Sequence, residues 1–425
     1  MQPDTLPKPD APRPDPIAGE NTVAGENTVT VLTAPSAGAI AVIRLEGPLV
    51  EAALRRRARS RSGKSLDVPP GPRPRLVRWD FGGPEPEEAV LYRPGETLLE
   101  IHCHGGLRVV ERLVQAAAVD GFARLSWQQW LQYEERDPIA AAARAALAQV
   151  RTRRAAEILL DQYHGALRSA LADIAAALSR GDAAAAQGLR RLASRIPLGL
   201  HLSRPWRVVI LGPPNAGKSS LINALAGYDR ALVHPVPGTT RDLVSAVIVA
   251  DGWPIELIDT AGLRQAAHPV EQLGVRKAED AARNADLVIL VFDRSRPWRA
   301  GHDALLRRYP QALLLHNKCD LAAGPGERPP GLYVSAHRPD DVPPILDALV
   351  RRLVPDPPPP GEAVPFTEDQ AAAVKEALDF LERQNPQAAA ARLRRLAPAT
   401  PAPPALARPA LEPPALEPPA LEPPA

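Results

Sequence analysis

Residues 212–219 read Gly-Pro-Pro-Asn-Ala-Gly-Lys-Ser, the spacing G-x-x-x-x-G-K-[ST], directly after the β-rich run 207–211 and ahead of the helical run 220–225. In that setting the main-chain N–H groups of Asn215, Ala216 and Gly217, with those of Lys218, Ser219 and Ser220 at a helix start, converge on phosphate oxygens. Lys218 brings a compact positive charge to the β- and γ-phosphates, and the Ser219 hydroxyl is suited to ligate Mg2+. Three further signals follow in order. Asp259-Thr-Ala-Gly262 puts a carboxylate in the outer shell of that Mg2+ and the Gly262 amide near the γ-phosphate. Asn317-Lys318-Cys319-Asp320 offers, at Asp320, an acceptor for guanine N1–H and N2–H2 together, a pair of donors that adenine lacks. Ser335-Ala336 suits a backbone contact to guanine O6. Chemistry of this kind is binding and hydrolysis of GTP.

Each signal stands at the C-terminal end of a β-rich run, where doubly wound sheets bind their ligands. The runs 207–211, 244–250, 254–258, 286–292, 312–316 and 332–334 alternate with helical ones, which predicts a mostly parallel sheet covered on both faces. Ala/Leu/Arg-rich sequence flanks it. From 138 to 195 apolar residues recur at helical spacing (Ile158, Leu159, Tyr163, Leu167, Leu171, Ile174), and 367–396 is a further Ala-rich helix or helix pair. The expected fold is an α/β P-loop GTPase domain inserted in an α-helical domain, with an N-terminal α+β domain. That last part rests on strands at 29–32, 39–45 and 96–102 and a helix at 107–118. The expected boundaries are 27–120 for the N-terminal domain, 121–203 and 362–397 for the helical domain, and 204–355 for the nucleotide domain, with Pro-rich disordered ends at 1–26 and 398–425.

Composition agrees. The chain has 425 residues with a formal net charge of +2, which speaks against a bulk polyanion binder while leaving room for a local basic patch. Pro numbers 50, and eleven prolines follow position 397, in a repeat of Ala-Leu-Glu-Pro-Pro that favours solvated polyproline II. Two cysteines, Cys103 and Cys319, exclude a disulfide framework and suggest a reducing compartment. No apolar run reaches the ~18 residues of a membrane span. A cytoplasmic protein without membrane contact is expected. Only six of 51 basic residues are Lys, and two of the six are Lys218 and Lys318.

The motifs resemble those of the MnmE (TrmE) tRNA-modification GTPase family. Besides 212–220, these are Pro237-Gly-Thr-Thr-Arg-Asp242, Asp259-Thr-Ala-Gly-Leu-Arg264 with Glu271 beyond it, Ala39-Ile-Ala-Val-Ile-Arg-Leu-Glu-Gly-Pro48, and Glu96-Thr-Leu-Leu-Glu-Ile-His-Cys-His-Gly-Gly106. The resemblance implies a K+-stimulated GTPase. Leu263 stands where many GTPases place a water-orienting Gln, and a hydrocarbon cannot orient water. In the family a K+ ion is held by the counterpart of Asn215 and by the loop at 234–239, here with His234, Val236 and Thr239. Such a charge in the place of an arginine finger is worth roughly 10³–10⁵ in rate. Thr240 matches the second Mg2+ ligand, and Glu271 matches a carboxylate acting through a bridging water. An ordinary solvated Glu at a helix start is the other reading of Glu271. The resemblance further implies a homodimer, a GidA (MnmG)-type flavoprotein partner, tRNA as substrate, and a formyl-tetrahydrofolate site at Arg44 and Glu100, two residues that taken singly read equally as a strand-surface pair. His102 and His104 resemble a metal pair at i, i+2, but without a third ligand they read as structural.

Two departures from the family pattern stand out. The family's folate-site Lys in the stretch after the N-terminal domain has no counterpart here. That stretch instead carries Trp127, Trp130 and Tyr133, which could stack on a ligand but stand at a spacing more typical of a helix packed into a core. No Cys follows Cys319, whereas the family ends in a Cys-Ile-Gly-Lys motif, so a thiolate step at that place is not expected. The alternative expectation is therefore a divergent paralogue, a GTP switch whose output is partner binding.

Overall fold

The structure is a computed structural model that describes residues 27–34, 38–82, 85–135, 137–228, 244–259 and 279–397. The Pro-rich ends fall outside these. The chain divides into two compact units, Met1–Tyr133 and Glu134–Ala425. Among the described residues no helix is long and apolar enough to cross a membrane.

In the first unit the described strands are β1 (Thr28–Val31), β2 (Ile40–Glu46), β3 (Ala58–Arg59), β4 (Arg75–Trp79), β5 (Glu87–Gly95), β6 (Leu98–His104) and β7 (Ala123–Leu125). They form one sheet in the order β3-β4-β5-β6-β2-β1-β7. All pairings are antiparallel except β1 with β7. Period-2 alternation sends Ala41, Ile43 and Leu45 of β2 and Leu99, Ile101 and Cys103 of β6 into one core. Helices α1 (Val50–Arg57) and α2 (Leu107–Val119) add Val50, Ala53, Leu54, Leu113, Val114 and Ala117 to that core. The other face keeps the polar alternates, and the register sets Arg44 directly opposite Glu100. The sequence expectation placed a strand at 96–102. The hairpin instead turns at Glu96 and Thr97, and β6 runs Leu98–His104 with the same inward alternation, extended to bury Cys103 beside Leu99 and Ile101. Strand β7 lies beyond the boundary expected at residue 120 and pairs with β1 in the first sheet.

In α3 (Trp127–Glu134) only Leu131 is buried. The spacing of Trp127, Trp130 and Tyr133 suggested core packing, yet Tyr133 is 66% exposed and both tryptophans are half-buried. Trp130 lies beneath the Arg44 guanidinium, 5.0 Å from ring centroid to Cζ.

The second unit opens with helices α4 (Pro138–Leu147), α5 (Arg153–Tyr163), α6 (Ala166–Ser179), α7 (Ala184–Ser194) and α8 (Ile196–Leu200). Their apolar stripes share a core with α12 (Glu368–Glu382) and α13 (Pro386–Leu396), through Leu159, Leu167, Leu171, Leu189, Val374, Ala377 and Leu393. The segment leading into α12 is tied down by buried polar groups. Gln162 Nε2 donates to the Glu362 carbonyl at 3.0 Å, and its Oε1 accepts from the Val364 N–H at 3.1 Å. Arg195 Nη1 donates to a Glu362 carboxylate oxygen at 2.6 Å. A capping box starts α12: Thr367 accepts from the Gln370 N–H, and Gln370 reaches back to the Thr367 N–H.

Between α8 and α12 lies the second sheet, of β8 (Trp206–Leu211), β9 (Val244–Ala250), β10 (Trp253–Asp259), β11 (Leu287–Asp293), β12 (Leu313–Asn317) and β13 (Leu332–Tyr333). The order is β13-β12-β11-β8-β10-β9, parallel throughout except for the β9–β10 hairpin. The apolar sides of β8, β10, β11 and β12 are buried from both faces, which accounts for their near-continuous Val/Ile/Leu sequence. Helices α9 (Lys218–Tyr228), α10 (Ala300–Arg308) and α11 (Val342–Leu353) complete the layers. Parallel register aligns the strand ends: Asp259 of β10 with Ile210 of β8, and Asp293 of β11 with Asn317 of β12.

Candidate nucleotide-binding site

The loop between β8 and α9 turns within a very small space. Gly212 has φ +148°, and a Cβ there would stand 2.1 Å from the Val291 carbonyl oxygen of β11. Asn215 is left-handed at φ 62°, a conformation that Asn tolerates better than most residues. Gly217 follows at φ +89°, and a Cβ there would come within 2.3 Å of Asn317 Nδ2. Glycine is therefore required twice, for backbone sign and for close approach.

Lys218 begins α9 and is buried. Its ammonium donates back to the carbonyls of Gly212 at 3.1 Å and Pro213 at 2.9 Å, which holds the positive charge inside the ring of the loop. The next hydroxyl, Ser219 Oγ, donates to Asp259 Oδ2 at 2.5 Å. Asp259 is buried at the end of β10. Two hard oxygen donors thus meet beside the loop, a pairing suited to Mg2+. Ser220 is exposed on the first turn of α9.

The residues expected to recognise the base are joined to the same loop. Asn317 is buried at the end of β12, where its Nδ2 donates to the Ala216 carbonyl at 2.9 Å and its Oδ1 accepts from the Ala336 N–H at 3.2 Å. Lys318 is left-handed at φ 63°, and its ammonium bridges the Asn215 carbonyl at 2.8 Å and Asp293 Oδ2 at 2.7 Å. Burial opposes ionisation of Asp293, but hydrogen bonds from Lys318 and from Ser295 prevail and hold its carboxyl below the usual range. Asp320 is exposed, and a hydrogen bond from the Ser335 hydroxyl, with lesser help from its own backbone, keeps its carboxyl low as well. It stands ionised at neutral pH as a pure acceptor.

The two amides expected to meet guanine O6 are engaged within the protein. The Ser335 N–H donates to Asp341 Oδ2 at 2.7 Å, and that of Ala336 to Asn317. Asp341 and Asp293 were not singled out by the sequence reading. Asp293 had a usable signal, a carboxylate ending an otherwise apolar strand as Asp259 does. Asp341 lies in a 3-10 turn, Pro339–Asp341, that no sequence motif marks. Thr239, Thr240, His234, Val236, Gly262 and Glu271 lie outside the described residues.

Arg44 and Glu100 form a loose pair on the first unit's open sheet face, 3.9 Å apart. His102 sits 3.6 Å from Glu100, and His104 Nδ1 meets Glu87 Oε1 at 2.5 Å. Among the described residues no group of three or more His, Cys, Asp or Glu is arranged to hold a metal ion. A cavity of about 800 Å³ opens elsewhere on this unit, lined by Thr33, Ile40, Leu107, Glu111 and Trp127 but not by Arg44 or Glu100.

Comparison with known proteins places this geometry. The 50S ribosome-binding GTPase family model matches residues 207–318. The tRNA modification GTPase MnmE of Synechococcus sp. strain CC9605 is 34% identical over 371 residues, spanning 76% of this chain and 80% of that protein. The tRNA modification GTPase MnmE of Synechococcus sp. strain WH7803 is 36% identical over 334 residues, spanning 69% of this chain and 72% of that protein. Among solved structures, the G domain of the T. maritima FeoB iron transporter is 25% identical, covering 36% of this chain and 98% of that one at a TM-score of 0.25. The likeness to the two MnmE proteins, over more than two thirds of each chain, is decisive: the chain belongs to the MnmE family of tRNA modification GTPases, and it is a GTP hydrolase.

Proposed function

We propose that GTP is held between the 212–220 loop and the 317–320 segment, and that its hydrolysis serves modification of the wobble uridine of tRNA. One observation carries the reading. Asn317 and Lys318, which begin the guanine-recognition segment, are hydrogen-bonded to Ala216 and Asn215 of the phosphate loop. A ligand filling both must carry phosphates and a base together. In this reading the amides of 215–220 and the Lys218 ammonium bind phosphates, and Asp320 selects guanine, with Ser335 and Ala336 behind it. Ser219 and Thr240 would hold Mg2+ with Asp259 in its outer shell, and the ion would supply neutralisation of charge developing on the phosphates. Asn215, His234, Val236 and Thr239 are assigned to K+, Gly262 to the γ-phosphate and Glu271 to positioning the attacking water.

The same reading makes 204–355 a nucleotide domain inserted in a helical one. The ties from Gln162 and Arg195 to residues 362–364 support it, since they join the segment that precedes the insertion to the one that follows it. It also takes the chain to be a cytoplasmic homodimer working with a GidA-type flavoprotein, with a formyl-tetrahydrofolate at Arg44 and Glu100. Two measurements test the proposal. GTP turnover by the purified chain is expected to be at least tenfold faster in K+ than in Na+. A deletion strain is expected to lose the aminomethyl-type wobble modification. Indifference to the cation would remove the K+ assignment, and an unchanged nucleoside profile would remove the tRNA role.

A further inference from the structure

Positive charge is concentrated in one short stretch of the first unit. Between positions 55 and 78 nine residues are Arg or Lys and one, Asp67, is acidic, in a chain whose overall charge is only +2. The fold gathers part of this stretch into a cleft of about 650 Å³ lined by Arg56, Arg57, Arg59, Asp80, Phe81 and Arg112, among others. Charges that are already satisfied can be set aside. Arg57 is buried and spends its guanidinium on Asp120, with further bonds to the carbonyls of Asp80 at 3.0 Å and Ala116 at 2.9 Å, so its role is structural. Arg56 shares Asp120 at 3.1 Å but leaves 64% of its side chain exposed. Of the other nearby carboxylates, Glu51 is matched by Arg55 and Arg93 and Glu111 by Arg124, Glu88 stands opposite Arg78, and Asp80, in the cleft wall, accepts from the Gly82 N–H at 2.9 Å.

What remains is a surplus of guanidinium. Arg59 contributes little to it, because its guanidinium donates to the carbonyls of Ala58 at 3.1 Å, Arg55 at 3.3 Å and Arg56, and Arg78, opposite it across the β3–β4 pair, faces Glu88 across β4–β5; the surplus lies with Arg56 and Arg112. Arg112, on the exposed face of α2 with Arg108 and Gln115, lies over the Phe81 ring at 4.9 Å, a contact that holds its Cζ at the cleft wall. Arg61 and Lys64 extend the charge along the adjoining turn, both exposed.

We propose that this cleft seats the phosphodiester backbone of RNA, with Arg56 and Arg112 contacting phosphates; the inference rests on the reading that the chain works on tRNA. Planar guanidiniums suit bidentate phosphate contact. An anionic membrane is the poorer fit, because the apolar side of α1 (Val50, Ala53, Leu54) is already buried in the unit's core and leaves no apolar face to enter a bilayer.

The test measures binding of unfractionated tRNA to the full chain against KCl concentration, for wild type, Arg112→Gln, Arg56→Gln/Arg112→Gln and a control Arg153→Gln in the second unit. The slope of log affinity against log salt is expected to fall by about 1 for the single variant and about 2 for the double, with affinity at least about tenfold weaker for the double. GTP turnover and the control should stay at wild-type values. Wild-type slope and affinity in both cleft variants would overturn the proposal, as would a double variant that loses binding to phosphatidylserine vesicles while keeping tRNA. Wild-type chain that binds no tRNA would overturn it too. The deletion strain separates the two levels: cleft variants that bind normally, beside a lost modification, refute the cleft alone.

Discussion

Asn317 joins the two segments of the proposed nucleotide site, and its removal has a calculable effect. In Asn317→Ala two main-chain groups lose their partner, the buried Ala216 carbonyl and the Ala336 N–H. An unsatisfied buried polar group costs about 1–3 kcal/mol, and the vacated space admits water to the less buried of the two, so about 2 kcal/mol is expected. The strand and the helix remain, because β12 is held by its apolar residues Leu313, Leu314 and Leu315. The loss falls on the alignment of the phosphate loop with the base segment, which a bound nucleotide must then restore. At about 1.4 kcal/mol per factor of ten, GDP affinity should drop roughly thirtyfold.

Gly217 supplies the control. A methyl there meets Asn317 Nδ2 at 2.3 Å and occupies φ +89°. Gly217→Ala therefore carries backbone strain of about 1–2 kcal/mol and also ejects the Asn317 amide. In the double variant the amide has already gone, so the two losses should be sub-additive by about 2 kcal/mol. Calorimetric titration of GDP into wild type, both single variants and the double closes the cycle. Less than a threefold loss in Asn317→Ala, or additivity within about 0.5 kcal/mol, would show that the clamp does not govern nucleotide binding.

If Asp320 selects guanine as proposed, Asp320→Asn exchanges an acceptor for a donor opposite the guanine amino group, so GDP should weaken by about 100-fold or more while xanthosine diphosphate, with a carbonyl at that position, gains; competition binding reads the ratio. Glu271→Ala should slow turnover at least tenfold with GDP affinity unchanged, and equal loss of both would argue for a folding role. Burial, with Glu87 adding to it, pushes the Cys103 thiol up to about 11, and burial followed by Asp341 raises Cys319 as well, so a disulfide reagent at pH 8 should label the native chain far more slowly than the denatured one. The Arg195 guanidinium, with Arg191, holds Glu362 below the usual carboxylate range. Its contribution to stability is present above the unfolded carboxyl value, about pH 4.3, and disappears as pH falls through the lower folded value. Glu362→Gln should accordingly be less stable than wild type to urea at pH 7 and converge with it in acid.

The sequence disclosed the second unit far better than the first, for a physical reason. Strands buried on both faces become continuous apolar runs, so LVILVFD at 287–293 announces itself, and motif residues sit where those runs end. In the first unit one sheet face is open. Strands β4 and β5 therefore mix Arg and Glu with Val, Ala and Leu, and the sequence reading passed over both, along with α1. The half-polar alternation of β6 was recognised, but two residues early, because Glu96 and Thr97 lie in a turn whose position depends on the β5 partner.

The same logic separates what was legible in the site from what was not. Gly212, Gly217, Lys218, Ser219, Asp259, Asn317 and Lys318 each meet a constraint that very few residue types satisfy, a positive φ, a close approach, a charge, a hydroxyl or an acceptor at a strand end. Their identities therefore carry the geometry with them. Asp293 and Asp341 act one contact further out, on Lys318 and Ser335, and a carboxylate in that position is indistinguishable in sequence from a solvated one. Trp130 shows the reverse error: its helical spacing with Trp127 and Tyr133 suggested core, but an aromatic ring beneath Arg44 uses the same period to face a cation. Periodicity identifies which side of a helix a residue is on; only the neighbouring element decides whether that side meets hydrocarbon, charge or water.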